Sequence, residues 1–397
     1  MKKFFFLCSL LLPLLWHPLI ADGPPPKHSQ PAKIVSEGIT DFGWDLLIST
    51  SRSDKNTLIS PYSVYSALSM CAAGADGETL SQFKKILNLP SNLSAVAAAL
   101  SAEEKSLKDH LQVGNAMWIA PQFFIEPAYQ KTIETGFNAG VANVDFSKPS
   151  EAAAKINQWV AGKTQQKITN LLTPEDLGIA TKLVLTNALY FSGQFLKPFS
   201  KDMTSVKPFW TDEAMQIQVA TMEKTASSFY AEDSTFQVLL LPFQEVKVAL
   251  AIFLPKAKTF TPLAPLLSAK QFLALLDQAG FKKVHIQLPK FTLEQRYDLN
   301  SYLEQMGLSN PFSSSADFSG IDGKHDLFLS KVVHQAFFAL DENGVIAAAA
   351  TSAGMSIKSA APDLTPEIEF NADHPFLFAL VDLDTKIPLF FGQLSSP

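Results

Sequence analysis

Residues 341–358 read DENGVIAAAATSAGMSIK, and the stretch 344–357 contains no charged side chain. If this stretch forms a β-strand, one of its faces carries only small or apolar side chains, at Val345, Ala347, Ala349, Thr351, Ala353, Met355 and Ile357. Alanine is also the best helix former, so these residues alone are equally compatible with a short helix or a flexible linker. The flanking sequence is needed to decide among these structures.

Both flanks favour β-structure. Upstream, 328–344 (FLSKVVHQAFFALDENG) has the apolar and aromatic pattern of a strand that ends in an acidic turn. Downstream, the apolar runs 376–381 and 388–392 surround a turn at 382–386 and predict two C-terminal strands. We therefore interpret the uncharged stretch as a loop that can become a strand.

Four further segments matter together with the DENG turn: 56–87 (NTLISPYSVYSALSMCAAGADGETLSQFKKIL), 185–199 (LTNALYFSGQFLKPF), 288–299 (LPKFTLEQRYDL) and 370–378 (FNADHPFLF). In this combination the chain resembles the serpin family, serine-protease inhibitors that insert a cleaved loop into their own sheet. The resemblance runs from about Ile34 to the C-terminus. It implies an α+β fold, with three β-sheets, about eight or nine helices and an exposed reactive-centre loop at about 342–367.

Composition and periodicity agree with one mixed domain at 22–397. The chain has 397 residues, 47% of them hydrophobic, and no segment reads as a linker. Helical periodicity predicts helices at 34–49, 61–73, 79–87, 94–108, 126–135, 150–163 and 264–279. Apolar runs predict strands at 112–119, 182–191, 237–241, 246–254 and 283–288, besides those already named.

The N-terminus has the pattern of a secretory signal peptide. Lys2 and Lys3 precede an apolar run at 4–15, and the small residue Ala21 suits cleavage after position 21. A membrane anchor is disfavoured, because the run is too short and Pro13 interrupts it. We expect 1–21 to be removed and the protein to be secreted, or periplasmic if bacterial, with no membrane association.

Charge and motifs exclude several function classes. The net charge is −6, and losing both N-terminal lysines makes it more negative, which disfavours a nucleic-acid partner. Removal of Cys8 leaves Cys71 alone, so no internal disulfide can form, and we expect a buried, inert thiol. No nucleotide, metal or hydrolase motif occurs, and we expect no enzyme activity, metal or cofactor. A catalytic triad assembled from distant positions is not excluded by sequence.

The resemblance also implies roles for individual residues. The hinge of the loop comprises Glu342, Gly344, Val345, Ala347, Ala348, Ala349, Ala350 and Thr351. A polar cluster beneath the central sheet comprises Asn56, Ser60, Ser63, Asn187 and His334, and Lys290 pairs with Glu342 at the top of that sheet. The alternatives are ordinary roles: Ser60 before Pro61 suits a helix N-cap, and Lys290 and Glu342 can be two solvated charges. The sequence departs from the family at Phe195, where a Trp is common, and at Ile346, where a Glu is usual.

The resemblance implies that Glu342 is the seventeenth residue before the scissile bond, which places that bond at Lys358–Ser359. A long cationic side chain before the scissile bond suits a trypsin-like serine protease. The resemblance implies that the inhibitor is a monomer and holds the protease in a covalent complex. Met355–Ser356 is the alternative bond and would suit chymotrypsin- or elastase-like enzymes. A non-inhibitory binding or chaperone protein of the same family is the other alternative, although the small hinge residues disfavour it. Residues 94–107 (SAVAAALSAEEKSL) lack the basic helix that a heparin-type cofactor would need.

Overall fold

The computed structural model describes residues 30–53, 55–345 and 367–397. These residues form nine α-helices: α1 (Gln30–Thr50), α2 (Pro61–Ala73), α3 (Gly77–Ile86), α4 (Leu93–Ser106), α5 (Pro127–Lys131), α6 (Pro149–Lys163), α7 (Ala269–Gln278), α8 (Asn300–Gln305) and α9 (Ser319–Asp322).

Sixteen strands accompany the helices in the same part of the chain: β1 (Thr57–Ile59), β2 (Leu111–Ile119), β3 (Gly140–Asn143), β4 (Leu183–Phe191), β5 (Gly193–Gln194), β6 (Ser205–Trp210), β7 (Gln216–Glu232), β8 (Phe236–Pro242), β9 (Val248–Pro255), β10 (Gly280–Pro289), β11 (Phe291–Asp298), β12 (Leu329–Asp341), β13 (Gly344–Val345), β14 (Ile368–Asn371), β15 (Phe376–Asp382) and β16 (Pro388–Leu394). The predicted α+β class is confirmed.

The strands form two hydrogen-bonded networks. The first has the order β3-β2-β4-β12, with β11 paired to β12 and the short β13 and β5 at the end of β12. We call β3, β2, β4, β12 and β11 the central sheet. The second network has nine strands, in which the long β7 joins β6, β10 and β14 to β8, β9, β15, β16 and β1. The second network therefore consists of two sheets that share β7. Together with the central sheet they make up the three predicted sheets.

The helix α2 explains how the core is assembled. Ser60 accepts a hydrogen bond from the backbone N–H of Ser63 and so caps the helix, and Pro61 occupies its first turn. Every residue from Pro61 to Ala72 is buried, as expected for a helix enclosed on all sides. The helix packs against β2 and β4 of the central sheet and against β16 of the other network. It thus joins the two sheets and positions the residues at its N-terminus under the middle of the central sheet.

The predicted helices are all present; the one at 61–73 has the predicted ends, and the others have shifted ends. The segment 264–266 forms a separate turn, and α7 begins only after Ser268, whose side chain forms a capping box with Gln271. The predicted helix at 126–135 changes to a π-helical turn after Lys131. Among the described residues, no helix is long and apolar enough to cross a membrane. The signal-peptide prediction for 1–21 falls outside the described residues, and the single-domain assignment stays a prediction.

Cys71 lies in α2 with no exposed surface and forms no disulfide. Burial raises the pKa of its thiol to about 12, so the nucleophilic thiolate is scarcely formed at neutral pH. We predict that protein comprising residues 22–397 will not react with the thiol reagent DTNB while folded, and will release one equivalent of chromophore after unfolding in guanidinium chloride. Rapid labelling of the folded protein would contradict this packing.

Candidate functional site: the closed central sheet and its hinge

The central sheet contains a seam between two parallel strands. β4 and β12 pair directly, in continuous register from Val184 with Lys331 to Tyr190 with Phe337, and a register shift separates this stretch from the pair Leu183 and Leu329. All nine residues of β4 are buried. Parallel pairing is slightly less stable per residue than antiparallel pairing. The seam is therefore a comparatively weak line through the middle of an otherwise well-packed sheet.

The chain turns sharply at the end of β12. The carboxylate of Asp341 accepts hydrogen bonds from the N–H groups of Asn343, at 2.7 Å, and Gly344, at 3.3 Å, and so closes the turn. Gly344 has a φ of +146°, and a Cβ there would lie 2.2 Å from the carbonyl oxygen of Gly193. Gly344 and Val345 then pair antiparallel with β5. Only glycine satisfies both the backbone conformation and this close approach.

Glu342 forms a partly buried ion pair with Lys290 beside the turn. Its side chain accepts from Lys290 Nζ at 3.0 and 3.1 Å and from Thr204 Oγ1 at 2.8 Å, and Glu342 is only 4% exposed. Burial by itself would raise the pKa of Glu342, but the hydrogen bonds from Lys290, from its own backbone and from Thr204 outweigh it and leave the pKa below its usual value. The carboxylate is thus held charged, and it fixes β12 to the elements around it.

A segment at 193–199 lies against the hinge and holds its backbone. The N–H of Phe195 donates to the carbonyl of Asn343 at 2.7 Å, and the N–H of Phe199 donates to the carbonyl of Glu342 at 2.9 Å. Phe195 is fully buried and stacks on Phe243 at 5.2 Å between ring centroids. The ring at position 195, where a Trp is usual, is therefore fully buried.

A buried polar network crosses the seam at its centre. His334 on β12 and Asn187 on β4 are register partners, and His334 Nδ1 contacts the side-chain oxygen of Asn187. His334 Nε2 lies 3.0 Å from the N–H of Ser60, at the start of α2. Because that N–H is a donor, Nε2 is the acceptor and Nδ1 carries the proton. The neutral imidazole of His334 therefore links β12 to β4 and to the N-terminus of α2 through hydrogen bonds.

The network extends further through Asn187. Its side-chain nitrogen donates to Ser63 Oγ and to Asn115 Oδ1, the latter at 2.6 Å, and Ser63 Oγ donates to Asn115 at 3.1 Å. All of these side chains are buried. Burial lowers the pKa of His334 to about 3, because no neighbouring carboxylate compensates for the loss of water. The seam is closed by neutral hydrogen bonds, and a charged imidazole does not fit it.

The structure brings together most, but not all, of the residues predicted for this site. Ser60, Ser63, Asn187 and His334 share one network, and Lys290 meets Glu342. Asn56 lies elsewhere: its amide binds the backbone of Ser395 and Ser396 at the C-terminus, because β1 separates it from Ser60. Asn115 belongs to the network but was missed. A lone Asn in the apolar run LQVGNAMWI was the available signal, and its partner on β4 was not predictable from sequence.

Several predicted residues lie outside the described part of the chain. They are Ala347, Ala348, Ala349, Ala350 and Thr351 of the hinge, the predicted bond Lys358–Ser359 and the alternative bond Met355–Ser356. Their roles stay predictions.

Comparisons with known proteins agree in sequence and in structure. A family model described as Serpin (serine protease inhibitor) matches residues 37–397. The chain is 35% identical over 380 residues to a leukocyte elastase inhibitor of Xenopus laevis, covering 91% of this chain and 99% of that protein. It is 33% identical over 368 residues to an uncharacterized serpin-like protein of Methanosarcina acetivorans, covering 90% and 84%. Among solved structures, Serpin48 of the insect Tenebrio molitor matches with a TM-score of 0.81 at 29% identity, covering 92% and 98% of the two chains. The resemblance drawn from sequence is confirmed.

The Glu342 pair predicts a defined pH dependence. Because the folded-state pKa lies below that of the unfolded chain, about 4.3, the charge stabilises the fold above that pH, and the contribution is lost as the pH falls through the folded-state value. Glu342→Gln should lower the free energy of unfolding by about 1 kcal/mol at pH 7. In urea titrations the difference between the two proteins should persist down to about pH 4 and shrink as the pH falls further. The exposed substitution Glu213→Gln is the matched control and should leave the free energy of unfolding unchanged at neutral and at low pH. A difference between Glu342→Gln and the unmodified protein that persists undiminished below about pH 4 would refute the assignment.

His334 predicts a second pH dependence, of opposite origin. The unfolded chain takes up the imidazole proton near pH 6.5, but the folded protein takes it up only near pH 3, so stability falls as the pH drops between these values. The loss amounts to on the order of 5 kcal/mol. His334→Gln should be less stable at pH 7 and should lack this part of the pH slope. Asn56→Ala, outside the network, should keep it; an unchanged slope in His334→Gln would show that other groups cause the acid sensitivity.

Proposed function

The chain belongs to the serpin family, and we propose that it is an inhibitory member that captures serine proteases as a suicide substrate. The family is described by protease inhibition and not by catalysis, so we propose no catalytic reaction for this protein. We further propose that residues 1–21 direct its secretion. The observation that carries the inhibitory assignment is the direction of the strands beside the hinge.

β4 and β12 run parallel, and the loop leaves from the end of β12. A chain that reverses at the turn 341–344 runs opposite to β12, and it therefore also runs opposite to β4. If the seam opens, one strand made from the loop can pair antiparallel with both neighbours. A single parallel pairing is then replaced by two antiparallel ones, which are the more stable kind.

The loop sequence fits this insertion. Val345, Ala347, Ala349 and Thr351 would face the interior, and none of them is charged or bulky. About fifteen new backbone hydrogen bonds, each contributing about 0.5–1.5 kcal/mol, would stabilise the inserted form by on the order of 10 kcal/mol before chain entropy is subtracted. The closed sheet is then a kinetically held state. The contacts at Glu342 and His334 are the ones that must give way for the seam to open.

The proposed reaction begins as ordinary proteolysis. The serine oxygen of the protease bonds to the carbonyl carbon of Lys358, the amide bond to Ser359 breaks, and the new amino group of Ser359 takes up the proton. Insertion of 344–357 then carries the acylated protease across the sheet. Deacylation needs an intact oxyanion hole, so distortion of the protease preserves the ester.

Two neighbouring substitutions test this proposal as a matched pair. Ala349→Glu places a charge on the face that becomes buried, whereas Ala350→Glu places the same charge on the face toward solvent, and neither creates a new trypsin site. Incubated with trypsin, the unmodified protein and Ala350→Glu should give a covalent complex that survives a denaturing gel. Ala349→Glu should be cleaved at the same bond with at least a tenfold smaller share of complex. Cleavage of all three proteins without any complex would instead identify a non-inhibitory member of the family.

A second candidate concerns the target protease. The relative named a leukocyte elastase inhibitor favours an elastase-like target cleaving at Met355–Ser356. The mass of the released C-terminal fragment separates the two, because it begins at Ser359 for the trypsin-like target and at Ser356 for the alternative.

A further inference from the structure

An apolar cavity lies on the far side of the segment that holds the hinge. The space between its walls, including the open mouth, is about 500 Å³. Its apolar walls are formed by Phe195, Leu196, Phe229, Leu241 and Phe281. Phe281 is 64% exposed at the mouth and packs on Phe229 at 4.1 Å between ring centroids. A large aromatic side chain thus stays in water where a ligand could cover it.

Two lysines converge on this cavity. Lys224, on β7, extends over the ring of Phe199 at 3.9 Å and donates to the carbonyl of Lys197. Lys197 donates to the carbonyl of Ser227 at 3.2 Å. Within the described part of the chain, neither ammonium group forms a salt bridge with a carboxylate. The adjacent Glu223 is paired with Lys207 and His285 instead.

The position of Lys224 makes an anion the complementary ligand. An ammonium group beside aromatic and aliphatic walls has lost part of its hydration without gaining a counter-charge. This desolvation, together with the charge of Lys197, lowers the pKa of Lys224 to about 8. A carboxylate would restore the missing charge, and an apolar body attached to it would cover the exposed ring.

We propose that this cavity binds a small amphipathic monocarboxylate, with its carboxylate at Lys224 and its acyl or aryl body against Phe229, Leu241 and Phe281. The carboxylate accepts a charge-assisted hydrogen bond from the free donors of the Lys224 ammonium group. The cavity walls accept any short apolar chain, so the charge provides the selection. This site is separate from the proposed protease-binding loop and needs no insertion of it.

Isothermal titration calorimetry with octanoate and octanol as probes tests the site. The protein should bind octanoate at least tenfold more tightly than octanol, because only the carboxylate pairs with Lys224. Lys224→Met keeps the apolar volume and removes the charge, so it should weaken octanoate binding about tenfold and leave octanol binding unchanged. Phe281→Ala, at an exposed position, should weaken both probes. Lys282→Met is the matched control, since it removes a charge from the next residue of β10, outside the cavity, and should change nothing.

Equal affinity for the two probes, or unchanged octanoate binding to Lys224→Met, would overturn the proposal. So would the absence of measurable octanoate binding at millimolar concentration. Octanoate binding that is lost in Phe281→Ala but kept in Lys224→Met would show a nonspecific apolar surface. No protease is present in these titrations, so their failure leaves the proposed inhibitory function untouched.

Discussion

The parallel pairing of β4 with β12 is the constraint on which the rest of the molecule depends. It leaves a seam in the middle of the central sheet, and His334 and Asn187 close that seam from opposite strands. The helix α2 adds a third contact: its capping residue Ser60 lies directly beneath the two strands and donates its N–H to His334. A helix cap, a strand register and a neutral histidine therefore define one closed state together, and none of them would position the others alone.

The segment 193–199 couples this sheet to the second network. Its backbone holds Asn343 and Glu342 on one side, while Leu196 donates its N–H to the carbonyl of Pro242 in β8 on the other. Phe195 stacks on Phe243 and also forms a wall of the apolar cavity. Movement of the hinge away from this segment would leave backbone groups without partners, whereas the cavity wall is held independently by β8. The hinge can therefore open without dismantling the second network, provided that new hydrogen bonds replace those it loses.

The parts of this site that depend on neighbouring residues could be predicted from the sequence. The strand at 329–341, the turn after Asp341 and the cap at Ser60 each follow from a run of neighbouring residues, and the structure has all three. Family resemblance placed His334 and Asn187 in one cluster and paired Lys290 with Glu342, although these residues are far apart in the chain. It misplaced Asn56, because a short strand turns that side chain to the C-terminus, and it gave no hint of Asn115. The long strand β7 was missed because its half-exposed sequence, QIQVATMEKTASSFYAE, has no continuous apolar run.

Burying polar side chains between β4 and β12 costs desolvation free energy that apolar side chains would not cost. Burying His334, Asn187, Asn115 and two serines contributes little net stability, because each hydrogen bond replaces one made with water. An apolar seam of the same volume would be at least as stable, but it would not demand one arrangement of the strands. The polar groups do, because a displaced strand leaves buried donors and acceptors unpaired until other partners arrive. An entering strand brings a full set of backbone partners, so the network that blocks partial opening allows complete insertion. The polar network thus disfavours partly opened forms of the sheet relative to the fully closed and the fully inserted forms, and it contributes little to the stability of either of those two.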